Sequence, residues 1–146
     1  MGKQSKLEVC TQLSNQFFYY LDEFEYGKMI AMMRPNARWF RQGKTLSGHD
    51  AIREALHQRS STQRIRHIVT NGFIEHEEAE KIHYLAYMLG YRYDDGTRCA
   101  PPLPINGPVR MLLVDMTFLR TPEHGWLIDD LKAIPEFEFP VLSVNY

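Results

Sequence analysis

The residues best suited to chemistry in this chain are a histidine and an aspartate far apart in sequence. The run Arg66-His67-Ile68-Val69-Thr70-Asn71 alternates as a β-strand does, with His67, Val69 and Asn71 on one face and Arg66, Ile68 and Thr70 on the other. An otherwise apolar strand therefore turns a histidine and an amide the same way. Upstream, an aromatic-rich helix closes on Leu21-Asp22. An Asp and a His converging on one pocket can move a proton near neutral pH, because imidazole is the side chain that ordinarily titrates there. The competing reading makes His67 a core histidine bonded to a backbone carbonyl and Asp22 one acid of an exposed helix end, Asp22-Glu23-Phe24-Glu25. A buried Asp22 without His67 would be costly, so the two stand or fall together.

Four more residues are expected around such a pocket. Tyr87 shares a strand face with Leu85 and Leu89 and offers a hydroxyl for an acid role. Asn71 lies on the His67 face, to bond a substrate oxygen or to cap a bulge at Gly72. Asp115 is an acid within the apolar run Leu112–Met116, a pocket candidate that could equally pair with Arg110 or Arg120 across a sheet. Trp39, beside Phe40, stands at the expected pocket mouth or fills the core.

The elements that must position these groups follow from periodicity. Leu7, Cys10, Leu13, Phe17, Phe18 and Leu21 give a helix over 7–22, and 26–33 gives a second that Pro35 and Asn36 stop. Ala37–Phe40 is a short strand, Gln42-Gly43-Lys44 a turn, and Thr45-Leu46 its returning partner. A third helix opens at Ser47–Asp50 and carries Ala51, Ile52, Ala55 and Leu56. Four long strands follow: 65–75 with a bulge at Gly72, 81–93, 109–120 and 126–134. Residues 94–108 form a Pro- and Gly-rich loop, longer than a hairpin needs and suited to a lid or an interface arm. Pro135–Tyr146 reads as an extended tail. Helices before an antiparallel meander are an α+β pattern, and a long twisted sheet curls around the helices to leave a pocket.

Composition narrows the functions. The 146 residues are expected to form one domain, 44% hydrophobic and 24% charged. A net charge of −1 argues against nucleic acid as a partner. No apolar run is long enough to span a membrane, and the polar N-terminus shows no secretory signal. Gly2 suggests lipidation, but Lys6 stands where that pattern needs Ser or Thr. Cys10 and Cys99, without Cys-x-x-Cys spacing, read as free thiols of a reducing cytoplasm. The six histidines lack metal-ligand spacing, and no nucleotide-binding glycine motif or Gly-x-Ser-x-Gly occurs, so no metal or cofactor is expected.

Several pieces together resemble the SnoaL-like and scytalone-dehydratase-like branch of the nuclear-transport-factor-2-like superfamily. They are Leu21-Asp22 with Tyr26-Gly27, Gly43 to Ile52 with Gly48, the Arg66–Asn71 strand, and Gly125-Trp126 entering the last strand, spanning about residues 10 to 134. The resemblance implies a cone-shaped curved antiparallel sheet whose N-terminal helices enclose a deep apolar pocket, as a single domain over 1–146. It also implies a paired Asp and His, here Asp22 and His67, with His67 as base and Asp22 orienting it. Phe17 stands where several such enzymes place a Lys or Tyr, and is expected to line the pocket. Where scytalone dehydratase has a second His, this chain offers only Tyr87. The same Arg-His-x-x-x-Asn stretch is also similar to small subunits of ring-hydroxylating dioxygenases.

The implied function is a cofactor-independent lyase or isomerase, dehydratase- or cyclase-like, acting on a small apolar or polycyclic aromatic molecule. The alternatives are a non-catalytic ligand-binding or subunit-like protein of the same fold, and a hydrolase using an activated water. A homodimer is expected through the convex sheet face, with Leu112, Phe118, Trp126 and Ile128 as the buried patch.

Overall fold

The computed structural model describes residues 3–140. Met1, Gly2 and the end of the expected tail, 141–146, lie outside the described residues. Helix α1 (Lys6–Asp22) starts at a capping box: Glu8 N–H donates to Ser5 Oγ at 3.1 Å, and Ser5 N–H donates to the Glu8 carboxylate at 2.9 Å. Its buried positions, Cys10, Ser14, Phe17, Phe18, Leu21 and Asp22, recur at three- and four-residue steps, so one stripe faces the sheet. The chain then reverses through Phe24 at φ 60°, a left-handed conformation costly for a bulky side chain. Helix α2 (Tyr26–Ala31) leads into β1 (Met33–Arg41), which pairs with β2 (Lys44–Ser47). Helix α3 (Gly48–His57) precedes β3 (Arg64–Glu77), β4 (Lys81–Tyr93), β5 (Arg110–Thr121) and β6 (Gly125–Glu138).

The six strands form one curved sheet in the order β2-β1-β6-β5-β4-β3. The α+β architecture matches the expectation, with three differences in detail. The β1–β6 pair is parallel, so the sheet is mixed. Helix α2 ends at Ala31, and Pro35 and Asn36 lie inside β1 instead of stopping the helix. They fall where the β1–β6 register shifts between Met33 and Arg38, a gap in the ladder where a proline's missing donor costs little. The first part of the expected tail is likewise strand: β6 runs to Glu138, with Phe137 opposite Met111.

The core lies between the concave sheet face and the helices. It is built from Phe17, Trp39, Tyr84, Phe118 and the inward sides of β5 and β6. Leu112, Phe118 and Ile128 belong to this buried side, not to the convex face assigned to a dimer contact. The convex face instead carries the opposite parity. Ile68, Phe73 and Tyr87 are each about half exposed on it, and Ile134 and Phe137 are exposed on β6.

Also on that face, His83 is held between two carboxylates, with Nδ1 2.7 Å from Glu75 and Nε2 2.7 Å from Asp115. Partial burial alone would lower its pKa, but the bonds to Glu75 and Asp115 outweigh it, and the net shift is upward. A raised folded-state pKa contributes stability that is complete below the unfolded value, about 6.5, and disappears as pH rises through the folded value. The thermal stability advantage of the wild type over His83→Gln is therefore expected to be larger at about pH 6 than at about pH 8. An advantage that grows toward alkaline pH in paired melts would contradict this.

Candidate active site

Helix α1 and strand β3 bring Asp22 and His67 together across 45 residues of sequence. Asp22 is 4% exposed and uses both carboxylate oxygens on the same partner. One Oδ accepts the His67 backbone N–H at 2.9 Å, and the other lies 2.6 Å from Nδ1. A carboxylate oxygen accepts, so the ring donates through Nδ1–H and Nε2 is left with its lone pair. The Phe18 ring lies against the imidazole, centroids 5.5 Å apart.

His67 lines a cavity of about 780 Å³, a size that holds a polycyclic organic molecule. Buried Phe18, Leu21, Trp39, Met88 and Leu112 also line it, supplied by α1, β1, β4 and β5. Apart from Pro135, the exposed lining residues are polar, namely Gln42, Lys44, Glu54, Gln58 and Arg92, so the pocket is apolar in its depths and largely charged or polar where it opens. Five cations line it in all: Arg41, Lys44, Arg59, Arg92 and Arg110.

The other expected pocket residues divide. Trp39 is in the wall, with its Nε1 buried and unpartnered among the described residues. Phe17 is fully buried behind it, edge-on to Trp39 at 5.7 Å and to Phe18 at 5.2 Å, and is not among the lining residues. Tyr87 and Asp115 lie on the convex face because the inward parity of β4 is Tyr84, Ala86 and Met88, and that of β5 is Val114 and Met116. Asp115 pairs with His83, not with Arg110 or Arg120. Asn71 is exposed at φ 59°, in a bulge where the β3–β4 register shifts between Thr70 and Phe73. That extra residue breaks the alternation joining Asn71 to the His67 face. Phe17, Tyr87, Asp115 and Asn71 therefore do not line the cavity, against the expectation from sequence.

The cationic lining was not singled out from sequence. Its one sequence signal is Arg41-Gln-Gly-Lys44, a basic turn without an acid, directly after Trp39-Phe40. Among the described residues no group of three or more His, Cys, Asp or Glu is placed to hold a metal ion, and no helix is long and apolar enough to cross a membrane.

The family model described as a SnoaL-like domain matches residues 5–132. No curated protein matches the chain. Among solved structures, a protein of unknown function with a cystatin-like fold from Nostoc punctiforme superposes with a TM-score of 0.73 at 13% identity, covering 97% of this chain and 100% of that one. Aln2 from a Streptomyces species gives 0.70 at 14% identity, covering 92% and 94%. A Catenulispora acidiphila protein in complex with S-DNPA gives 0.66 at 18% identity, covering 85% and 90%. At these identities the structural likeness establishes the fold.

Proposed function

This chain belongs to the SnoaL-like domain family, a family of small-molecule-processing enzymes, and from that premise we propose that it is a cofactor-independent lyase or isomerase acting through His67 and Asp22. The observation that carries the reading is the double contact of Asp22 with the backbone and ring of a histidine that lines a large cavity. In this reading His67 Nε2 takes a proton from a carbon acid. The C–H electron pair passes into an enolate, and the resulting imidazolium stays bonded to Asp22 through Nδ1–H. The same nitrogen then returns the proton. Delivered to another carbon it completes an isomerisation; delivered to an alkoxide formed by internal attack it completes a ring closure; delivered to a leaving hydroxyl it completes a dehydration. One carrier serves all three, so Phe17 in place of an acidic side chain does not block the chemistry.

The test needs no knowledge of the natural substrate. The wild type is expected to accelerate deuterium uptake at the α-carbons of 2-tetralone in D2O, followed by proton NMR. Exchange no faster than in buffer, or unchanged in His67→Ala, would remove the base. One observation favours a second reading, a binding protein: the bond from Asp22 to the His67 backbone N–H is a structural clasp whether or not the ring reacts. A chain that binds 2-tetralone without exchanging it fits that reading.

The assembly in this reading is a homodimer through the convex face, where Ile68, Phe73, Tyr87 and Phe137 form an exposed apolar surface. Sedimentation is expected at twice the 17.2 kDa chain mass, and a monomer at micromolar concentration would rule the dimer out.

A further inference from the structure

Arg41 is a half-buried guanidinium that pairs with no carboxylate among the described residues. It lines the cavity with its charge 5.3 Å from the Trp39 ring centroid. The charged neighbour acting on it is another cation, Arg59, and burial together with that repulsion pushes its pKa down. Among the described residues Arg59 is held by neutral groups, the Leu21 carbonyl at 3.0 Å and the Tyr26 hydroxyl at 2.9 Å. The other arginines of the lining differ: Arg92 is paired with Asp94 and bonded to Gln63, and Arg110 faces Glu138 at 3.9 Å. Against five cations the lining holds one carboxylate, Glu54, although the chain as a whole is net negative. Two half-buried like charges without a counter-ion among the described residues are unfavourable in an empty cavity and become favourable once an anion sits between them.

We propose that Arg41 and Arg59 recognise a carboxylate on the substrate, which is an aromatic carboxylic acid bound with its acid group between the two guanidiniums and its rings against Trp39 and Phe18. Planar guanidinium forks match the two oxygens of a carboxylate, and aromatic walls match the rings. The inference rests on reading the cavity as a substrate pocket and adds the class of molecule it admits.

The probes are 2-naphthoate and its neutral analogue 2-naphthamide, titrated into the full chain by calorimetry. The acid is expected to bind the wild type at least about tenfold tighter than the amide, the yield of a charge-assisted contact over a neutral one. Added salt should reduce that preference. Arg41→Gln should abolish it, Arg41→Lys should retain part of it, and Arg41→Gln should melt no lower than the wild type because it removes a half-buried charge that repels Arg59. Equal binding of acid and amide by the wild type, failure of both to bind at millimolar concentration, or a preference that survives Arg41→Gln would each overturn the proposal. A marked loss of thermal stability in Arg41→Gln would overturn it too, since Arg41 would then be structural. Asp22→Asn separates this from the catalytic reading. Loss of 2-tetralone exchange with the acid preference intact confirms recognition on its own, whereas exchange without any acid preference refutes recognition and leaves the base standing.

Discussion

Asp22→Asn is expected to leave the chain folded and to lower α-proton exchange by about 10²- to 10⁴-fold, the usual yield of a positioned general base. The asparagine oxygen can still accept the His67 backbone N–H, so the clasp between α1 and β3 survives. Its amide nitrogen, however, would stand where a carboxylate oxygen now lies 2.6 Å from Nδ1. An amide N–H donates, so Nδ1 must accept and the ring proton moves to Nε2. The lone pair that faced the substrate is then gone. Losing a charge-assisted bond costs about 1–3 kcal/mol of stability, which a domain of this size can absorb. Nitrogen chemical shifts of the imidazole report the tautomer directly. A variant whose tautomer switches while exchange stays at the wild-type rate would show that His67 is not the base.

The second large effect is on stability. Gly72→Ala is expected to cost about 1–3 kcal/mol, the range for overfilling a close-packed core, and to lower Tm by several degrees. A β-carbon on residue 72 would collide with the Tyr84 hydroxyl and stand 2.6 Å from Cζ of its ring. Tyr84 has little room to retreat. It is 1% exposed, packs edge-on to Phe118 at 6.3 Å, and its hydroxyl lies 3.3 Å from Thr11 Oγ1 on α1. Tyr84→Phe removes the oxygen that the new methyl would strike. The double variant should accordingly be more stable than the sum of the single losses predicts. Strict additivity in thermal melts, or a Gly72→Ala protein as stable as the wild type, would show that the β3 bulge adjusts freely.

The sequence made legible what single elements determine. Asp22 closes an amphipathic helix with a clear buried stripe, and His67 sits on the inward parity of β3, so both directions could be read before their meeting was known. Parity failed on β4 and β5 for a physical reason. Leu85, Tyr87 and Leu89 are as apolar as Tyr84, Ala86 and Met88, and Leu113 matches Leu112 and Val114, so alternation alone does not say which side faces the helices. Tyr87, Asp115, Leu112 and Phe118 all lie on the face opposite to the expected one for that one reason. Asn71 failed differently, through a one-residue bulge that periodicity has no means of counting. Arg41 and Arg59 were invisible because an unpaired charge is defined by what is absent around it in space.

The Asp22–His67 pair and most of the opening of the cavity are carried by different parts of the chain. Asp22 and His67 belong to α1 and β3, whereas Arg41, Lys44, Leu46 and Glu54 come from the β1–β2 hairpin and α3, and Gln58 caps the end of α3. Substitutions in 41–58 alter what is admitted without touching the atoms that hold the imidazole. If the proposed role of His67 holds, descendants of such a chain can exchange one diet for another while inheriting the same proton carrier, and the trace of that history would be rapid divergence along the hairpin and α3 beside a slowly changing Asp22 and His67.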